Sequence, residues 1–347
     1  MKNTPFRLLA LSSILSFGAV IVLFTSVHTA QALTISPPSL EFGVQPGQQA
    51  NLEIKLYNED ATQPIDVTTE TTTWTSGAKP GEPNFQESAT AEDIAKWITV
   101  DKGPIKLDAQ GRTTVPVSVN VPADATPGGH YGAILFTFKN PNAAQNGQIS
   151  ITPKVATLFL VRVDGPNVVE SGLIQSFGIT GGSTSFQHLP VSFTTVIQNT
   201  GNIHIKPKGA ITITNSFGKM VATIDFNTEK GATLPTTTRT YTNEIWQVGT
   251  VQPVTGSVWN QFWTGYHNER ANFAIGKFTA KADLSGGTVK PFTMTASTAF
   301  WIIPWHIIIV YGVLAIIIII LLICLIRWYN GWIRRKATPK PTVPPQQ

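Results

Sequence analysis

Any chemistry in this chain would have to come from five histidines, a few acidic pairs and one aromatic cluster. Beyond His28 near the start, the histidines are His130, His188, His204, His267 and His306, and no two stand at metal-ligand spacing. No H-E-x-x-H, G-x-S-x-G or Walker sequence occurs, and S-x-x-K occurs only in the turn-like stretches Ser76–Lys79 and Ser216–Lys219. Acidic neighbours occur at Glu59/Asp60 and Glu92/Asp93. Adjacent strand side chains face opposite ways, and both pairs fall in expected loops or helix starts. Glu59 and Asp60 with Asp66 are conceivable oxygen ligands for calcium. A glycosidase needs two carboxyl groups converging across a cleft, and 20 Asp+Glu in 347 residues is a low acid density. The one cysteine, Cys324, excludes an internal disulfide framework and a multi-cysteine zinc site. The expectation is a non-catalytic protein without a cofactor or metal.

The aromatic cluster is the most unusual feature. Trp259, Phe262, Trp263 and Tyr266 recur at i, i+3, i+4 and i+7, which puts all four on one face of a helix. Such a stripe stacks on sugar rings, sits in a lipid headgroup layer, docks a partner, or caps the open end of a β-sandwich. These four residues are the candidate binding surface, with His130 as a weaker fifth member. Tyr131 follows the turn Pro127-Gly128-Gly129 and is placed to bond its hydroxyl back to the loop.

Positioning falls to β-strands. Thr and Val are frequent, and 28 Gly, 24 Pro and only three Met argue for short strands joined by turns. Residues 50–57 and 113–121 alternate apolar and polar, the mark of half-buried strands. Pro116 within the second suits an edge or a non-bonded position. Further strands are expected over 65–74, 131–138 and 149–163, with a short helix inserted at Thr90–Ile98, Thr90 as its N-cap. About seven strands in roughly 130 residues is the pattern of an immunoglobulin-like sandwich. Strand-like runs at 189–198, 209–215, 218–226, 238–246 and 273–284 indicate a second one, with Asn199-Thr200-Gly201-Asn202 as a tight turn. His204 and Lys206 to Lys208 read as a solvated face.

The ends place the chain. Lys2 and Arg7, an apolar run over Leu8–Phe24 and small residues at Ala30 and Ala32 form a secretory signal pattern with cleavage before Leu33. Residues 307–326 are uncharged and, at ~1.5 Å per residue, match a ~30 Å hydrocarbon layer. Trp301 and Trp305 stand at one edge, Trp328, Tyr329 and Trp332 at the other. Arg327, Arg334, Arg335 and Lys336 follow, so positive-inside puts the C-terminus in the cytoplasm and the sandwiches outside the cell membrane. The formal charge of +5 comes from these ends, since residues 33–300 carry −2. That middle part offers no field for phosphate backbones, so no nucleic-acid partner is expected.

The expected organisation is all-β: a signal peptide (1–32), two tandem immunoglobulin-like β-sandwiches (33–165 and 166–299), a single transmembrane helix (301–326) and a basic, Pro-rich cytoplasmic tail (327–347). Leu33-Thr34-Ile35-Ser36-Pro37-Pro38, Trp97-Ile98-Thr99-Val100, the Asp124–Leu135 segment and the Lys154–Val163 strand together resemble the first extracellular domain of the WxL-interacting protein family. The layout of signal peptide, two sandwiches, one helix and basic tail is similar to that family's. The resemblance implies a bacterial cell-surface protein that binds peptidoglycan or another surface polymer, or secreted surface proteins. The alternative is an extracytoplasmic assembly or chaperone-like factor for exported β proteins.

Overall fold

The computed structural model describes residues 33–77, 79, 81–86, 93–139 and 153–337. The expected signal peptide, with Ala30 and Ala32, lies outside these residues, as do Thr90, Glu92 and residues 338–347. The chain is mostly β, two sandwiches followed by one long apolar helix. One compact unit takes in residues up to Thr75 with Phe85–Pro166, the other Ser76–Asn84 with everything from Asn167 onward.

In the first unit one sheet contains β1 (Leu33–Ser36), β3 (Gln49–Asn58), β8 (Arg112–Asn120) and β6 (Ile98–Val100), in that order. The facing sheet runs β2 (Ser39–Val44), β10 (Lys154–Val163), β9 (Gly128–Lys139), β4 (Ile65–Ser76) and β5 (Pro83–Gln86), with β7 (Ile105–Leu107) also on β4. Pro37-Pro38 explains why β1 and β2 are separate strands. Two residues without N–H groups cannot continue a ladder, so the chain leaves its antiparallel pairing with β3 and rejoins in parallel with β10. The alternation read from the sequence then fills the core: Ile54 and Leu56 point in while Glu53 and Lys55 point out. Phe136, Phe159 and Val119 close it, each fully buried. Pro116 sits just beyond the stretch Val117–Val119 that β6 covers, so its missing donor falls next to the end of a neighbour.

The inserted helix is described from Asp93 onward. Within the described residues it is one turn, α1 (Ile94–Trp97), with Asp93 at its N-cap. Trp97 is 3% exposed and belongs to the core, so the insert is held by packing rather than by helix propensity.

In the second unit β11 (Gly172–Ile179), β13 (Val191–Asn199) and β16 (Thr238–Trp246) form one sheet. The other runs β12 (Ser185–Phe186), β18 (Phe292–Ile302), β17 (Gly276–Gly286), β14 (Lys208–Asn215) and β15 (Met220–Phe226). Its core is aromatic, with Phe193 and Phe278 each 5.9 Å from Phe300 and Trp246 5.2 Å from Phe278. The two sandwiches share a strand-end device. Asn58 closes β3 and Asn199 closes β13, and each accepts from the backbone N–H two residues on, Asp60 at 3.0 Å and Gly201 at 2.8 Å. Each Nδ2 donates to two carbonyls, Gln63 and Asp108 for Asn58, Ile203 and Thr233 for Asn199. A buried amide that satisfies all these groups holds a turn as a backbone ladder would. This turn also carries His204 inward: it is 8% exposed, between buried Ile203 and Ile205, and not on the solvated face its polar neighbours suggested.

Two helices complete the second unit. The first, α2 (Val258–Ala271), is inserted between β16 and β17 and carries the aromatic stripe. The second, α3 (Trp305–Ala337), leaves β18 after Ile303-Pro304. Its stretch Trp305–Arg334 is long and apolar enough to cross a membrane, and none of its most apolar window is buried against protein.

Candidate functional site

The aromatic stripe is placed by α2 and used at the root of α3. Ser257 caps α2 by accepting from Asn260 N at 3.4 Å. Two buried asparagines then pin the preceding loop along the helix. Asn268 exchanges two hydrogen bonds with Gln252, donor and acceptor both at 2.9 Å, and Asn272 accepts from Gly249 N at 2.8 Å and donates to Thr250 O at 3.0 Å. The loop therefore follows α2 as a strand would follow its neighbour.

Glu269, one helical turn beyond Tyr266, is completely buried. Its Oε1 accepts from His306 Nδ1 at 2.6 Å and from His306 N at 3.2 Å, and its Oε2 accepts from Ile307 N at 2.9 Å. The first N–H groups of a helix lack partners within it, and a carboxylate there also favours the positive end of the helix dipole. A side chain from α2 thus caps the N-terminus of α3. Pro304 directly precedes α3 and, having no N–H, adds no further orphan donor.

The ring of His306 is closed in on three sides. Trp305 stacks on it at 3.6 Å between centroids, Phe262 meets it edge-on at 5.1 Å, and Gly265 lies beneath it. A Cβ at position 265 would collide with the imidazole, so glycine there is required by close approach. Tyr266 lies beside Tyr311 on α3, and this neighbouring hydroxyl, together with desolvation, raises its hydroxyl pKa above the ordinary value. Trp263 stands between Trp259 and Tyr266, edge-on to both at 5.7 and 5.6 Å. Trp259 itself is 68% exposed. Among the described residues none of the four aromatics joins the core of the second sandwich. Two of them, Phe262 and Tyr266, hold α3, and the other end of the stripe is open to solvent.

The remaining sequence candidates have ordinary partners. His130 lies 4.6 Å from Trp97 between ring centroids and donates from Nε2 to Thr126 O at 2.9 Å. Tyr131 meets Trp74 edge-on at 5.7 Å. Asp60 accepts from Thr62 N, Thr62 Oγ1 and Gln63 N, bonds that hold its carboxyl below the usual range, the Thr62 backbone first and against the opposing effect of burial. Glu59 accepts from Thr34 Oγ1 at 2.7 Å. Among the described residues no three acidic, histidine or cysteine side chains are grouped to hold a metal. Arg327 and Arg334 lie exposed on the last turns of α3, and Cys324 is exposed on the same helix.

A second polar recess escaped the sequence altogether. Asp225, Asn227, Glu229, Arg239, Tyr241 and Glu244 line about 160 Å³ beside β15 and β16. Glu244 is 3% exposed, with Oε1 accepting from Asn227 N at 3.3 Å and Oε2 unpartnered. Burial first, and then the nearby Glu229, push its pKa up. Tyr241 shares a hydrogen bond with Thr233 Oγ1 at 2.9 Å, and burial raises its pKa as well.

No protein-family model matches this sequence, and no curated protein does. The solved structures similar to it include the YadV chaperone, at 11% identity over 77% of this chain and 99% of that one, with a TM-score of 0.35. A chaperone–tip adhesin complex of Csu pili from Acinetobacter baumannii matches at 9% identity over 76% and 97%, TM-score 0.34. The CupB2 chaperone of Pseudomonas aeruginosa matches at 8% over 77% and 100%, TM-score 0.33.

Proposed function

We propose that this chain is a non-catalytic, single-pass membrane protein that holds an exported polypeptide against an exposed strand edge of its second sandwich. The carrying observation is β15. It is hydrogen-bonded on one side, to β14, and ends the sheet order on the other. Natural edge strands are blunted by charge, proline or cover. Here the edge and its turn instead present Phe217, Met220 and Val221, exposed by 94, 59 and 41%. A row of free backbone groups flanked by apolar side chains is what an added strand recognises. The turn that offers Phe217 is itself rigid, since Asn215 Oδ1 accepts from both Phe217 N and Lys219 N at 3.0 Å.

The bilayer supplies the second half of the reading. The length and apolarity of α3 support an anchor, and the basic residues Arg327, Arg334, Arg335 and Lys336 support a cytoplasmic C-terminus with both sandwiches outside. Tethering confines the binding edge to a thin layer beside the membrane, which raises its effective concentration toward substrates leaving the cell. The sequence resemblance of residues 33–163 makes secreted surface proteins of the WxL type the first partners to examine.

A photo-crosslinking residue at Val221 in living cells tests this. Val221 is on the solvent face of β15, since Ala222 and Ile224 pack inward. Crosslinks to an exported protein, lost in Met220→Lys, are expected. Co-sedimentation with insoluble cell wall and no protein crosslink would overturn the reading in favour of a wall polymer.

A further inference from the structure

The open end of the aromatic stripe is not accounted for by strand-edge binding. Its surroundings say at what level it sits. Tyr266 lies beside Tyr311, and Tyr311 lies four residues into the uncharged run that begins at Ile307. At ~1.5 Å per residue that is ~6 Å along the axis of α3 past the start of the run. Glu269 fixes the same face of α2 to residues 306 and 307. The helix α2 is therefore held against the first two turns of α3 by Glu269 and by Phe262 on the His306 ring, and it cannot withdraw from them without exposing a buried carboxylate.

The span itself allows this depth. Trp305–Arg334 is 30 residues. At ~1.5 Å per residue it exceeds a ~30 Å hydrocarbon layer and matches the ~40–45 Å bilayer with headgroups. Its first turns then belong to the interfacial zone, and α2 with them. Beside the exposed polar residues Gln252, Asn260, Gln261, His267 and Arg270, α2 and its pinned loop expose large apolar side chains there: Val258 is 84% exposed, Trp259 68%, Val254 53% and Val251 41%. Exposed in water, such a patch is costly; at the boundary between headgroups and acyl chains it is what an amphipathic helix buries, to a depth of ~5–10 Å.

Resting on the anchored reading above, we propose that α2 is an interfacial helix. Its ligand is the lipid surface, into which the Val258–Trp259 end inserts, so that the second sandwich is seated on the bilayer and does not swing on a single-helix tether. Glu269, Gly265 and His306 form the joint that holds α2 at this depth.

Site-directed spin labelling of the full-length chain in phosphatidylcholine/phosphatidylglycerol vesicles tests it. In a Cys324→Ala background, nitroxides are placed at Val258→Cys, at Trp259→Cys as a second probe of the same end, at Ile318→Cys within the span, and at Phe217→Cys on the β14–β15 turn. Accessibility to oxygen is compared with accessibility to a water-soluble nickel chelate. The labels at 258 and 259 are expected to favour oxygen, as the label at 318 does, while that at 217 favours nickel. Lipid-like values at 318 with water-like values at 258 and 259 would overturn the interfacial helix and leave the anchor standing, with a soluble partner for the stripe. Water-like values at 318 would remove the anchor and this inference with it.

Discussion

Glu269 and His306 stand 37 residues apart in sequence and 2.6 Å apart in space, and between them they fasten the aromatic helix to the start of the C-terminal one. A whole β-hairpin, β17 and β18, intervenes in the chain. Because Glu269 is fully buried, its removal strands the imidazole N–H and two backbone donors. Glu269→Ala is expected to lower stability by about 3 kcal/mol, read as a drop in the melting temperature of the detergent-solubilised protein. Glu269→Gln, which keeps one acceptor, is expected to recover part of it. An unchanged melt for the alanine variant would show that the joint contributes nothing to folding.

Gly265 should act through the same ring. A methyl group there displaces His306 from beneath Phe262 and off Glu269. Gly265→Ala and His306→Ala are each expected to be destabilising, and the double variant to be little worse than either, because both remove one contact. Additive losses, measured by denaturant unfolding, would contradict this coupling.

Two buried glutamates should respond to pH in opposite senses. Glu170 accepts from Thr288 N, Thr288 Oγ1, Val289 N and Lys290 N at 2.6–3.0 Å. Burial works to raise its pKa, but the Lys290, Thr288 and Val289 backbone donors together lower it. A lowered native pKa adds stability above the unfolded-state value that disappears as pH falls through the native one. Glu170→Gln is accordingly expected to melt lower than the native protein at pH 7, with the gap closing toward pH 3.

For Glu244 the sign reverses. Its raised pKa means that the charged form costs stability at neutral pH, and this cost lifts as pH falls toward the unfolded-state value. Glu244→Gln is expected to melt higher than the native protein at pH 7 and to match it near pH 4. A lower melt at pH 7 would mean that the carboxylate is engaged.

Strand alternation carried most of the fold in the sequence. Residues such as Ile54 and Leu56 against Glu53 and Lys55 define an inner and an outer face without any knowledge of partners. The apolar run before Arg327 is legible for the same reason, since lipid selects composition rather than geometry. The joint was not legible. Phe262, Gly265, Tyr266 and Glu269 share a helical face by spacing, and Pro304-Trp305-His306 is a plausible helix start, yet nothing local says that one receives the other. The recess at Glu244 was hidden likewise, because β15 and β16, though consecutive in the chain, belong to different sheets, and the burial of His204 was hidden because its polar neighbours mask the turn that carries it inward. Of the helix expected over Thr90–Ile98, Thr90 lies outside the described residues, and the described part is the turn Ile94–Trp97 with Asp93 at its N-cap, held by the buried Trp97.

The anchored, outward-facing arrangement is tested most directly by treating intact cells with an external protease and extracting their membranes at high pH. The full-length chain is expected to stay in the alkaline-washed membrane pellet, and the protease to remove both sandwiches while an epitope at the C-terminus stays protected. Release of the intact chain into the soluble fraction, or loss of the C-terminal epitope with the sandwiches untouched, would contradict the account.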